Sequence, residues 1–273
     1  MFLTKKGFWK IVAIAICYFV LGSFCIALGV ISELLGVDAK IQYLGIILCF
    51  LCPVLGLWGR YAEGEGKLIN LGNKLVRNEL KPAEFIKHYE DLKNSPDLVI
   101  NKPSFDTLRL IAVAYDSLDM REKALSAVDE LIAVASEKKK TLAKLTKISY
   151  MFSYGMTKEA EALFAEVQGL KLNFMCQAMT DAILKSDRAM AMGDYKVVET
   201  HCLKMLAQTF PKLDNLSRLV LHFGLGEVYE KLQDNEKASL YYQYCVDNGG
   251  ETAMKSSAKT ALERLATQKE KTQ

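Results

Sequence analysis

The sequence predicts an all-α protein, an N-terminal transmembrane helical hairpin followed by an α-solenoid. Three observations predict it. Two long runs near the N-terminus, 11–32 and 41–59, contain no charged residue. Beyond residue 60, apolar residues recur at i, i+3, i+4 and i+7, the period of an amphipathic helix rather than a strand. That helical pattern then repeats, with successive starts 36, 38 and 40 residues apart as marked by Ala124, Ala160, Val198 and Ala238.

The N-terminal segment comes first. At about 1.5 Å of rise per residue, 11–32 and 41–59 can each cross a hydrocarbon core of roughly 30 Å, the second only just. The connector 33–40 is short, so the two spans are expected to be antiparallel neighbours. Trp9, Tyr43 and Trp58 sit near the span ends, where interfacial aromatics belong. Lys5, Lys6 and Lys10 precede the first span, Arg60, Lys67, Lys74 and Arg77 follow the second, and only Lys40 lies between them. That asymmetry predicts an integral membrane protein with both termini and the repeat region cytoplasmic. Small residues at Gly22, Gly29, Cys52 and Gly56 offer faces either for packing the hairpin on itself or for homo-oligomer formation through the spans. Cys49 and Cys52 have redox C-x-x-C spacing, but mid-span and without a charge to lower a thiol pKa they read as packing residues.

Residues 61–104 read as an amphipathic linker or first degenerate helical hairpin. Leu68, Leu71, Leu75 and Val76 fall within one arc, with Lys67, Lys74, Arg77 and Lys81 opposite. Such a helix either lies on anionic headgroups or begins the solenoid with a solvated basic face. Pro82 suits a helix start, and Phe85, Ile86, Tyr89 and Leu92 give that helix an apolar stripe. The stretch 94–104, with Pro96 and Pro103, reads as a loop.

Residues 105–266 hold the repeats. In 219–248 two helices break at 232–235. Gly226 is followed three residues later by Tyr229, and Ala238, Tyr242 and Cys245 share a face of the second helix. Ala112, Tyr115, Ala124, Val128 and Leu131 occupy the same places in an earlier hairpin. So do Ile148, Met151, Ala160, Phe164 and Val167, and then Ser186, Ala189, Val198, Cys202 and Met205. Turns are predicted at 154–156 and 193–195. The pattern resembles the tetratricopeptide (TPR) repeat, a helical hairpin with small residues where its helices touch and large ones where they interlock. The resemblance therefore implies a TPR-like α-solenoid. A capping helix is expected over 251–266, and 267–273, without an apolar residue, is expected to be disordered.

Composition narrows the function. The formal charge of +3 belongs wholly to residues 1–60, which leaves the remainder neutral and argues against nucleic acid as a partner. Seven cysteines scattered over apolar faces read as reduced, buried thiols. The three histidines, His88, His201 and His222, form no metal-binding pattern, and neither phosphate-binding glycine motif is present. The triplet 138–140 of lysines reads as the end of a helix, where positive charge offsets the dipole. No enzyme motif, metal site or cofactor site emerges.

What the TPR resemblance implies is a protein-binding module, because in that family the first helices of successive hairpins line a groove for a partner's peptide or helix. Carried onto this chain, the groove positions are Asp106, Arg109, Val113 and Asp116, then Leu142, Leu145, Ser149 and Phe152, then Thr180, Ile183, Asp187 and Met190, and then Val220, Phe223, Glu227 and Glu230. Asp106, Arg109, Asp116, Phe152, Asp187, Phe223, Glu227 and Glu230 are the strongest candidates. Apolar positions punctuated by acids suit an amphipathic, basic helix or extended segment. The expected function is a membrane-anchored adaptor presenting a cytoplasmic binding groove. The alternative is an accessory or regulatory subunit of a larger membrane transport or secretion assembly.

Overall fold

The computed structural model describes residues 2–34, 65–95, 98–170, 172–209 and 212–272. The second expected span, its connector to the first and the Phe210-Pro211 step lie outside these residues. The chain divides into two units, one of 1–70 with 89–104 and the other of 71–88 with 105–273.

In the first unit, strand β1 (Phe2–Thr4) pairs antiparallel with β2 (Leu98–Asn101), Phe2 opposite Asn101 and Leu3 opposite Ile100. The expected loop over 94–104 therefore contains a strand, whose Leu98-Val99-Ile100 core is the β-favouring part of that stretch. Helix α1 (Lys5–Leu34) follows β1 directly and leaves Trp9, Phe19, Val20 and Phe24 exposed. The two-span membrane assignment does not stand: among the described residues no helix is long and apolar enough to cross a membrane. The bilayer as a partner, homo-oligomer formation through spans, and the cytoplasmic placement of the termini and repeats all rested on that assignment and fall with it.

The second unit is all helix and packs in a solenoid-like way. Four hairpins follow one another: α4 (Phe105–Ser117) with α5 (Arg121–Val134), α6 (Glu137–Ser153) with α7 (Thr157–Gln168), α8 (Phe174–Lys185) and α9 (Asp187–Ala191) with α10 (Tyr195–Leu206), and α11 (Asn215–Lys231) with α12 (Asn235–Asn248). Helix α13 (Ala253–Thr272) packs on the last. It runs through most of the tail expected to be disordered, because Gln, Lys and Glu there are good helix formers even without an apolar face.

Each hairpin closes with the same turn. Asp119, Gly155, Gly193 and Gln233 have φ of 55°, 78°, 78° and 62°. The following amides, of Met120, Met156, Asp194 and Asp234, reach back to the carbonyls of Tyr115, Met151, Ala189 and Tyr229 at 2.8–2.9 Å. This is the Schellman arrangement, in which a left-handed residue lets the chain satisfy a helix's last carbonyls while reversing direction. Four residues past each such amide sits a buried small or medium residue, Ala124, Ala160, Val198 or Ala238, seated against the first helix. Val128, Leu131, Phe164, Val167, Cys202, Tyr242 and Cys245 are buried on the same faces. The free thiols Cys176, Cys202 and Cys245 lie in this core, and burial pushes Cys202 up to about 11 and Cys245 to about 12, so they are packing groups; Cys17 is exposed. The third hairpin departs at Ser186, where φ −118° and ψ −82° split its first helix into α8 and α9. The lysine triplet also differs from expectation: it opens α6 after Ser136 rather than ending a helix.

One further segment belongs to this unit. Its first residues, Leu71 and Gly72, are the end of the helix α2 (65–72) and lead into a π-helical turn, Asn73–Asn78, that packs on both α4 and α11. The space there is tight, since a Cβ on Gly72 would stand 2.9 Å from Leu110 and Phe85. Arg77 pairs with Asp214 at 2.9 Å, the Asn215 side-chain amide donates to the Asn78 carbonyl at 2.6 Å, and Glu251 N–H donates to the Leu80 carbonyl at 2.9 Å. Residues 72–81 thus tie the first hairpin to the last, and α3 (Pro82–Lys93) begins directly after them.

Packing in the fourth hairpin is tested by two valines on one helix. A Cβ at Gly226 would stand 2.7 Å from the Tyr242 ring, whereas one at Gly224 meets nothing within 4 Å. Gly226→Val is expected to unfold with about 2 kcal/mol less stability than Gly224→Val in urea titrations, since both share the same helix-propensity change. Gln233→Gly, at a position where φ is +62°, is expected to raise stability by about 1 kcal/mol in the same assay.

Candidate protein-binding face

The first helices of the hairpins, α4, α6, α8 with α9, and α11, carry the expected groove positions. Their side chains divide into three groups. Phe152 is 3% exposed and packs in a core cluster with Leu145, Ile183, Phe164 and Val167, so Phe152, Leu145 and Ile183 are core residues and are withdrawn as partner contacts. Asp106, Arg109 and Glu230 are taken up within the chain. Asp106 meets Lys139 at 3.3 Å and Arg109 at 3.9 Å, linking α4 to α6. Glu230 accepts from the Tyr242 hydroxyl at 3.0 Å and from Arg264 at 2.6 and 2.8 Å, which fastens α13 to the fourth hairpin. Phe223 stands edge-on to Tyr242, with ring centroids 5.7 Å apart.

Asp116, Asp187 and Glu227 form the third group. The Tyr154 hydroxyl donates to Asp116 at 2.6 Å, joining the first hairpin to the second, and Ser149 donates to Asp187, joining the second to the third. Burial raises the Asp116 carboxyl against the lowering effect of the Tyr154 bond. Desolvation pushes Asp187 up to about 6, against hydrogen bonds from Ser149 and Ser186, and the Asp116 charge adds to the rise. Glu227 reaches about 7, through desolvation first and the Glu230 charge second. The Glu227 side chain nonetheless stays open to solvent. None of the three makes an ion pair among the described residues.

Several residues of this face escape sequence reasoning. Tyr150 is buried beside Tyr154, ring centroids 5.9 Å apart, and burial with the Asp116 charge holds its hydroxyl protonated. Arg77 comes to α11 from far along the chain. Its partner Asp214 did leave a signal: it stands three residues before Ser217, and its carboxylate caps α11 by accepting from that N–H at 2.7 Å. His222 stacks on Tyr244 at 3.6 Å between centroids. No group of His, Cys, Asp and Glu able to hold a metal is found among the described residues.

No family model, curated protein or solved structure matches the chain.

The raised carboxyls give the protein a defined pH response. A folded state that holds protons more tightly than the unfolded chain is favoured below the ordinary values, 3.8 for Asp187 and 4.5 for Glu227, and loses that advantage as pH rises through about 6 and about 7. The melting temperature is therefore expected to fall between about pH 4 and about pH 7 from this source. Asp187→Asn with Glu227→Gln should flatten the decline, as read by thermal unfolding followed by circular dichroism.

Proposed function

We propose that the second unit is a TPR-like protein-binding scaffold whose first helices receive a basic, amphipathic segment of a partner protein. The observation that carries this reading is the set Asp116, Asp187 and Glu227, three carboxyls on the first helices of three hairpins with no cation paired to them among the described residues. Ionised carboxylates crowded by protein are costly without a counter-charge, and a lysine or arginine from outside would offset that cost. The repeated turn and the burial of the small-residue positions support the family reading.

The partner's basic groups would meet the carboxylates, and its apolar side chains would meet Val220 and Phe223 on α11, which remain at least partly accessible. Binding by such a face depends on the carboxyls being ionised. It is expected to strengthen as pH rises through about 6 and about 7, the opposite sense to the stability response of the unbound protein.

A fluorescent peptide of alternating lysine and leucine pairs serves as the probe, with full-length protein and fluorescence anisotropy as the readout. Asp187→Lys combined with Glu227→Lys should weaken its binding by about tenfold or more and reduce its salt dependence. Equal affinity for the variant and the parent would overturn the assignment of this face.

A further inference from the structure

We propose that the edge formed by the first turns of α6 and α8 is a second docking surface, made for an acidic segment that carries an aromatic or large aliphatic anchor. An open surface groove here is lined by Lys138, Lys139, Leu142, Asn173, Phe174, Met175 and Cys176. Phe174 is 87% exposed and Met175 61%, the first being the most exposed of the large apolar side chains among the described residues. Asn173 holds the entry to α8 in place by accepting from Cys176 N–H at 2.9 Å, so these two side chains stand on an ordered helix start rather than on a loose loop.

The charge at this edge identifies the occupant. Lys138, Lys139 and Lys140 occupy the first turn of α6, the end of a helix where a positive charge opposes the dipole. Two of the three are compensated within the chain. Lys139 reaches Asp106 at 3.3 Å and lies 4.6 Å above the Phe105 ring, and Lys140 reaches Glu137 at 3.4 Å. Lys138 makes no ion pair among the described residues and stands beside exposed Phe174 and Met175. An uncompensated cation at an unfavourable end of a helix, next to open apolar surface, is stabilised by a ligand that brings negative charge and an apolar group together. An acidic amphipathic peptide does both. A groove lined by seven residues at two helix starts suits a peptide side chain better than a bilayer, which needs a broad apolar face.

This surface is separate from the carboxylate face, and the experiment keeps the two apart. Random peptides of about twelve residues, displayed and selected against the full-length protein, are sequenced and the enriched ones synthesised. Enriched peptides are expected to carry net negative charge around an aromatic or large aliphatic residue. Their affinity should drop about tenfold or more for Phe174→Asp with Met175→Asp, drop severalfold for Lys138→Glu, and stay unchanged for Asp187→Lys with Glu227→Lys. All three variants alter exposed or half-buried positions, and circular dichroism checks their folding. Failure to enrich acidic peptides overturns the proposal, as does equal binding of such peptides to the Phe174 and Met175 variant. Binding of the protein to anionic phospholipid vesicles that is lost in that variant, with no peptide enriched, would assign the edge to a lipid surface instead. Basic peptides that depend on Asp187 and Glu227 would support the carboxylate face alone.

Discussion

The turn that ends each first helix is the constraint on which the repeat array depends. One residue in the left-handed region, Asp119, Gly155, Gly193 or Gln233, lets the next amide reach back five residues and close the helix. That closure sets where the second helix begins, and so places Ala124, Ala160, Val198 and Ala238 in the buried core of each hairpin. Only small or medium side chains fit there, and the large ones a turn later fill the space that opens beyond. A glycine at the turn is free of the strain that Asp119 and Gln233 accept, yet all four sites adopt nearly one conformation. The backbone hydrogen bonds and the packing on both sides therefore outweigh the local preference of the residue.

Repeating that unit has a consequence for charge. Polar residues meet across the first three hairpins: Tyr154 with Asp116, Ser149 with Asp187, Lys139 with Asp106. Asp116 and Asp187 are thereby covered by a neighbouring hairpin, and Glu227 is desolvated on α11; none of the three makes an ion pair among the described residues, and their protons become harder to remove. The chain answers part of this need itself. Arg77 reaches Asp214, where burial alone would raise the carboxyl but the hydrogen bonds from Ser217 and Arg77 bring it below its ordinary range. Residues 72–81 then span from α4 to α11 and, at Leu80, to the start of α13. Any partner on the first helices must share them with that segment.

The helices and their pairing were legible because burial enforces periodicity. Gly226 and Tyr242 announce a close crossing, and the ring does lie where a Cβ on that glycine would be. The turn at 232–235 could be read from its polar residues, but its identity with the turn at Asp119 could not, since the two share backbone conformation and little sequence. The lysine triplet was misplaced because a helix start and a helix end differ by only a few residues there, and Ser136 as the preceding residue was the cue. Phe152 is a groove position only by the TPR resemblance, ten residues after Leu142 on α6; its packing with Ile183 puts it in the core instead. The tie from Arg77 to Asp214 spans 137 residues, and no local pattern encodes so distant a meeting. Charge-free runs with flanking aromatic and basic residues were the basis for expecting membrane spans, and such runs say little of how the helix they form is used.

Native-state hydrogen exchange at the amides of Met120, Met156, Asp194 and Asp234 tests the central claim most directly, because each closes one hairpin. Four equivalent turns inside one packed array should exchange slowly and to a similar degree, and Asp194 should match the others despite the helix break at Ser186. Rapid exchange at these amides, at the level of an unstructured chain, would contradict the repeat and with it the face built upon it.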